Sequence, residues 1–201
     1  MAYGMRPVTH GGYNYNTGGF EEFPIKSAYS TRISNGDFVK LVANHGVEYL
    51  ATAPTPLIGT VGAGTSGAQP ANPALGIFVG CRYVDGNGTP TWSQYYPGAG
   101  TETEIQAFVV TDANAVFTIQ GTGVWTETYL GTVLIPTIAA GTGSIGNSGN
   151  VLPDYAADPD GTLRIVGVVR DGENESTNTT PDILVRWSSP SCLLYGYQTA
   201  I

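Results

Sequence analysis

The sequence predicts an all-β protein: a single β-sandwich or β-barrel-like domain preceded by an extended N-terminal arm. Three observations predict it. Gly (28) and Pro (13) punctuate a chain of 201 residues, and both interrupt helices and mark turns. Thr, Val, Ile and Tyr are plentiful, and these suit a pleated, half-buried surface. No long apolar pattern follows the 3.6-residue helical period; short apolar runs separated by turn residues follow one another instead. A chain of this length suits one domain, or one domain with an arm, and can bury a core without staples.

Residues 1–36 form the expected arm. They combine the pairs Gly11-Gly12 and Gly18-Gly19 with the spaced aromatics Tyr3, Tyr13, Tyr15, Phe20, Phe23 and Tyr29, with neither a helical period nor alternation. Disordered tails are poor in aromatics, so this segment is expected to order against a surface, its own or a partner's. The β-rich body, 37–201, opens with residues 37–42, the turn candidate Asn44-His45-Gly46 and residues 47–50, which read as a hairpin. Residues 51–74 read as a surface connection. The clearest unit is the strand 76–84, the turn Asp85-Gly86-Asn87-Gly88 and the returning strand 91–96, because Gly and Asn accept positive φ at low cost. Residues 105–111 and 115–120 read as strands around Asp112-Ala113-Asn114, which suits a loop or one helical turn. Residues 122–150 could supply strands or one short helix and include a Gly/Ser loop from Gly141 to Asn150. The last strands are 163–169 and 183–187, around a polar loop tip from Asp171 to Pro181.

Charge narrows the function classes. The chain has a formal net charge of −8 and only two lysines, Lys26 and Lys40, so it lacks the basic stripe that a nucleic-acid grip requires. The imbalance is local: residues 1–50 carry four cations and four acids, whereas residues 51–201 carry four arginines against twelve acids. No apolar run is long enough to span a bilayer, and the N-terminal residues lack the apolar centre of a signal peptide. Synthesis in the cytosol is therefore expected. Cys81 and Cys192 fit no metal or redox spacing, and buried free thiols are the expectation over a disulfide.

No constellation of residues points to catalysis, and no cofactor is expected. His10 and His45 are the only histidines, and neither has a ligand at helical or hairpin spacing. Asp154, Asp158, Asp160 and Gly161 resemble the start of a calcium loop, but Val169 stands where the closing glutamate belongs. An Asp-Pro-Asp-Gly turn accounts for the same residues. A Ser or Cys nucleophile would need a positioned base, and no glycine run precedes the Lys-Ser/Thr of a phosphate loop.

Two stretches carry a resemblance. The first comprises Arg6-Pro7-Val8, Asn14, Gly19-Phe20, Phe23-Pro24-Ile25 and residues 35–41. The second comprises residues 76–83, Ser93-Gln94-Tyr95-Tyr96-Pro97-Gly98 and the span from Val109 to Gln120. Weaker agreement continues at residues 146–149, 163–167 and 184–186. Together these resemble the capsid decoration, or cement, proteins of tailed bacteriophages, those of cyanophages especially. The resemblance implies a non-enzymatic protein on the outer surface of an icosahedral capsid, bound to the major capsid protein as a homotrimer. Within the arm, Arg6, Tyr13, Tyr15, Phe20, Phe23 and Arg32 are the candidate capsid-binding residues, because aromatics and arginine anchor interfaces. Two other expectations stand beside it: a tail, neck or head-fibre component, and a carbohydrate-binding β-domain using Trp92, Trp125, Tyr95 and Tyr96 as sugar platforms. Core packing is the competing explanation of those four rings.

Overall fold

The computed structural model describes residues 2–10, 13–14, 19–26, 29–42, 46–54, 74–141, 146–155, 157–158, 161–169 and 178–188. Their strands, in chain order, are β1 (Arg6–Pro7), β2 (Thr9–His10), β3 (Tyr13–Asn14), β4 (Glu21–Pro24), β5 (Phe38–Val42), β6 (Gly46–Tyr49) and β7 (Gly76–Val84). There follow β8 (Pro90–Ser93), β9 (Thr103–Val110), β10 (Val116–Thr122), β11 (Val133–Leu134), β12 (Leu152–Pro153), β13 (Leu163–Val168) and β14 (Asp182–Trp187). The only helical piece among the described residues is the 3₁₀ turn Glu127–Tyr129. The all-β expectation holds.

The strands form two main sheets. The first runs β1-β10-β14-β13-β11, with the short β12 also on β10; the second runs β4-β9-β7-β5-β6, with β8 also on β7. Each is antiparallel except for the β10–β12 pair. The β9–β10 connection carries the chain between the sheets. There the Asp112 carbonyl accepts the Ala115 N–H at 3.2 Å, and its Oδ1 accepts the Asn114 N–H at 2.8 Å. This is a turn rather than a helix, because the Asp112 side chain offers the backbone a local acceptor.

The expected hairpins are present. β5 pairs with β6 in the register Val39↔Tyr49 to Val42↔Gly46; residues 43–45 lie outside the described set. In the β7–β8 turn, Asp85 Oδ1 accepts the N–H groups of Asn87 and Thr89 at 2.9 and 2.8 Å, and Gly88 takes φ +81°. β8 ends at Ser93, short of the predicted strand 91–96, and Tyr96 instead bridges Ile33.

Two hydrophobic cores follow from the layering. Phe38, Ile77 and Val110 of the second sheet meet Phe117, Ile119, Ile165, Val185 and Trp187 of the first. The opposite face of the second sheet, with Val39, Phe78 and Val109, closes over Ile25, Ile33 and Val47. Ile25 bridges Val47 and donates its N–H to the Ile105 carbonyl at 3.2 Å, which brings the two margins of the second sheet together. A sandwich in which one layer curls toward a barrel results. It explains the sequence pattern: β10 and β14 alternate because one face is covered, whereas β7 reads as an unbroken apolar run because both faces are covered.

The described part of residues 1–36 is built into both layers. β1 pairs with β10, β4 pairs with β9, and Met5, Ile25 and Ile33 are buried. The extended arm is therefore not set apart from the body at residue 36 in this region, for a simple reason: its strands satisfy exposed sheet edges and its apolar side chains fill the two cores.

The arm and body lock at Gly36-Asp37. The Gly36 carbonyl accepts the Met5 N–H at 3.1 Å and Asn150 Nδ2 at 3.3 Å, and the Gly36 N–H donates to the Phe78 carbonyl at 2.8 Å. Gly36 has φ +92°, and a Cβ there would lie 2.7 Å from the Met5 nitrogen, so only glycine fits. Asp37 is buried, and its Oδ2 accepts the Ser34 N–H at 2.7 Å while Oδ1 has no partner. Burial pushes the Asp37 carboxyl up to about 6 from an ordinary value of 3.8, although Ser148, the Ser34 N–H and Arg32 pull it down. The folded state thus holds a proton more tightly than the unfolded chain does. Stability is greatest below the unfolded value, falls as pH rises toward about 6 and is flat above it. The charged form costs about 2–3 kcal/mol at neutral pH by this shift. Asp37→Asn keeps an acceptor for Ser34 and removes the charge. Its melting temperature is expected to exceed wild type at pH 7.5, with the gain gone by about pH 4; a pH-independent difference would contradict this origin.

Candidate docking surface

The outer wall of the second sheet carries an aromatic platform. Phe108 on β9 points away from the barrel interior yet is only 8% exposed, because Phe20 and Trp92 cover it. The Trp92 ring lies 5.5 Å from that of Phe108 at 22°, and Phe20 lies 4.7 Å away at 47°. These are offset and tilted geometries that aromatic rings prefer. Both covering rings remain open, Trp92 at 71% and Phe20 at 51% exposure. Gly80 makes the space: it pairs with Phe108 beside a register shift, and a Cβ there would come within 3.0 Å of the Ser93 carbonyl oxygen and 3.6 Å of the Phe108 ring.

An ion pair borders the rings. Arg82 lies opposite Trp92 on β8 and opposite Gln106 on β9, and its Nη2 donates to Glu22 Oε2 at 2.9 Å. Both side chains are about half exposed, so the pair adds little to stability. Locally it cancels charge, which leaves a neutral patch on a protein of net charge −8. Trp, Phe and Arg around a ring that is itself covered match the composition of interface hot spots.

The structure distributes the six sequence-predicted residues rather than gathering them. Phe20 stands on the platform. Phe23, one strand position on from Glu22, is half-buried and packs against the barrel core. Arg6 is on the first sheet, with its guanidinium 4.9 Å from the Tyr3 ring centroid and Nη2 donating to Asn147 Oδ1 at 2.9 Å. Arg32 is half-buried with its guanidinium 4.2 Å from the Tyr95 ring centroid. Tyr13 lies in β3, with its side chain outside the described set, and Tyr15 is outside it altogether. Of the four sugar-platform candidates, Trp92 alone is fully displayed; Trp125 and Tyr96 are buried and Tyr95 is partly covered.

Phe108, Arg82 and Glu22 were not legible as site residues. Phe108 sits in an apolar run that reads as core. It points outward because it stands between Ala107 and Val109, which face the barrel core, and what covers it comes from other strands and loops. Trp92 offered the available signal, a large ring between the small polar residues Thr91 and Ser93.

Other reactive groups are held in structural roles. Burial, with Glu102 nearby, pushes the Cys81 thiol up to about 12, so almost no thiolate nucleophile exists at neutral pH. Cys192 lies outside the described residues. The Tyr96 hydroxyl donates to the Tyr29 carbonyl at 2.6 Å. The Thr89 backbone N–H holds the Asp85 carboxyl below its ordinary value. Among the described residues no three His, Cys, Asp or Glu side chains gather as metal ligands, and no helix is long and apolar enough to cross a membrane. No family model, curated protein or solved structure matches the chain.

Proposed function

We propose that this protein is a structural virion component that binds the outer surface of a bacteriophage capsid and stabilises it, with the major capsid protein as its partner. The carrying observation is the Phe20–Phe108–Trp92 platform beside the Arg82–Glu22 pair. It is apolar, locally neutral and mounted on a two-layered β body. The resemblance of residues 6–41 and 76–120 to decoration proteins points the same way. Homotrimerisation belongs to this reading, because three modest footholds on neighbouring capsomers act at high effective concentration once one has engaged, and cyclic symmetry is the ordinary form of soluble oligomers. The test is sedimentation of the protein with undecorated heads of the phage that encodes it. Saturable binding to intact, DNA-filled heads is expected; binding to tails alone would move the protein to a tail or neck role.

The exposed Trp92 ring beside a polar Arg–Glu pair also favours the carbohydrate-binding reading, since a sugar's apolar face stacks on an open indole while its hydroxyls meet the charged rim. Glycan binding lost on Trp92→Ala, without any binding to heads, would select that reading.

A further inference from the structure

The outward face of the first sheet concentrates positive charge on an otherwise acidic protein. Arg164 on β13 lies directly opposite Arg186 on β14, and like charges placed so destabilise a strand pair. The β1–β10–β14 register puts Arg6 on the same face, two residue rows away, opposite Thr118, which in turn lies opposite Leu184. Arg164 Nη1 donates to the Gly131 carbonyl at 3.1 Å. Arg186 is exposed and makes no ion pair among the described residues. Asp182, an acid on this face, accepts the Tyr3 hydroxyl at 2.5 Å. Half-buried apolar side chains flank the two arginines: Val133 opposite Arg164, Val116 opposite Arg186, and Leu184 two residues along β14.

We infer that this face docks an acidic protein segment whose carboxylate is taken by Arg186 and Arg164. The like-charge pair is then relieved only when the partner arrives, and arginine's planar fork suits a carboxylate. The apolar flank favours a peptide over a bare polyanion, because Val116, Val133 and Leu184 offer area that a polypeptide can cover. This face is separate from the aromatic platform, and the inference stands whether or not the capsid reading does.

The test measures binding of a fluorescein-labelled poly-L-glutamate peptide to the full chain by fluorescence anisotropy at low ionic strength. Wild type is expected to bind, and to bind more weakly as salt rises. Arg186→Gln is expected to weaken binding about tenfold, as loss of a charge-assisted contact does. Arg186→Lys should fall between the two, because charge remains and the fork is lost. Lys40→Gln, in β5 of the other sheet, should bind as wild type does. Near-UV circular dichroism reports the fold, and Arg186→Lys keeps the test usable if Arg186→Gln is misfolded. Three results would overturn the inference: no binding of the peptide by wild type, equal loss in Lys40→Gln, or tighter binding of heparin than of poly-L-glutamate with the same dependence on Arg186.

Discussion

Deleting residues 1–36 is expected to unfold the protein rather than to yield a folded body that has merely lost its grip. The deletion removes Met5 from the core between the sheets and Ile25 and Ile33 from the barrel core. It also removes β4, which pairs with β9, and the Ile25–Val47 bridge that joins the margins of the second sheet. Truncating one buried side chain of this size to alanine costs about 2–5 kcal/mol. Three such losses together with a strand match or exceed the 5–15 kcal/mol by which domains are usually stable, so about none should remain. Near-UV circular dichroism without defined signals, and no cooperative melt, are the expected readings. A cooperative melt for 37–201 would mean that the body folds alone, and that the packing of the N-terminal segment contributes little.

Point substitutions on the platform are expected to do the opposite. Trp92→Ala and Phe20→Ala remove rings that are mostly exposed, so each should change stability by no more than about 1 kcal/mol, as surface substitutions do. Binding to undecorated heads should fall at least about tenfold for each, and about a hundredfold for both, in line with aromatic hot-spot losses. The double variant uncovers Phe108, and a drop of a few degrees in melting temperature is consistent with that. Arg82→Ala should cost less, because its ion pair with Glu22 is half exposed and must be given up to any new partner. Full binding by the folded double variant would place the grip elsewhere on the molecule.

The strands that run five residues or more were legible because burial writes a period into them. The alternation of Phe117, Ile119 and Gly121 on β10, and of Ile183, Val185 and Trp187 on β14, follows from one covered face. The unbroken run from Gly76 to Cys81 follows from two. Turns at Asp85–Gly88 and Asp112–Asn114 were legible because an Asp side chain can satisfy nearby N–H groups unaided. The two- to four-residue strands β1, β4, β11 and β12 were not, since tertiary pairing makes them and local propensity does not. Glu21-Glu22-Phe23-Pro24 has the charges and proline of an edge strand, a signature that names no partner. The platform was half legible for the same reason. Phe20 and Trp92 could be singled out as large rings in polar surroundings, but their meeting over Phe108 depends on β4 and β8 flanking the β9–β7 pair, and sequence spacing carries no record of that.

The central claim, that the aromatic platform seats this protein on the outside of a capsid, is tested most directly by a cryo-electron microscopy reconstruction of virions that carry it. The account predicts density for the chain on the outer shell in symmetric groups of three, with Phe20 and Trp92 buried against the major capsid protein. Density confined to the tail or neck, or copies on the shell whose Phe20 and Trp92 face solvent, would contradict it.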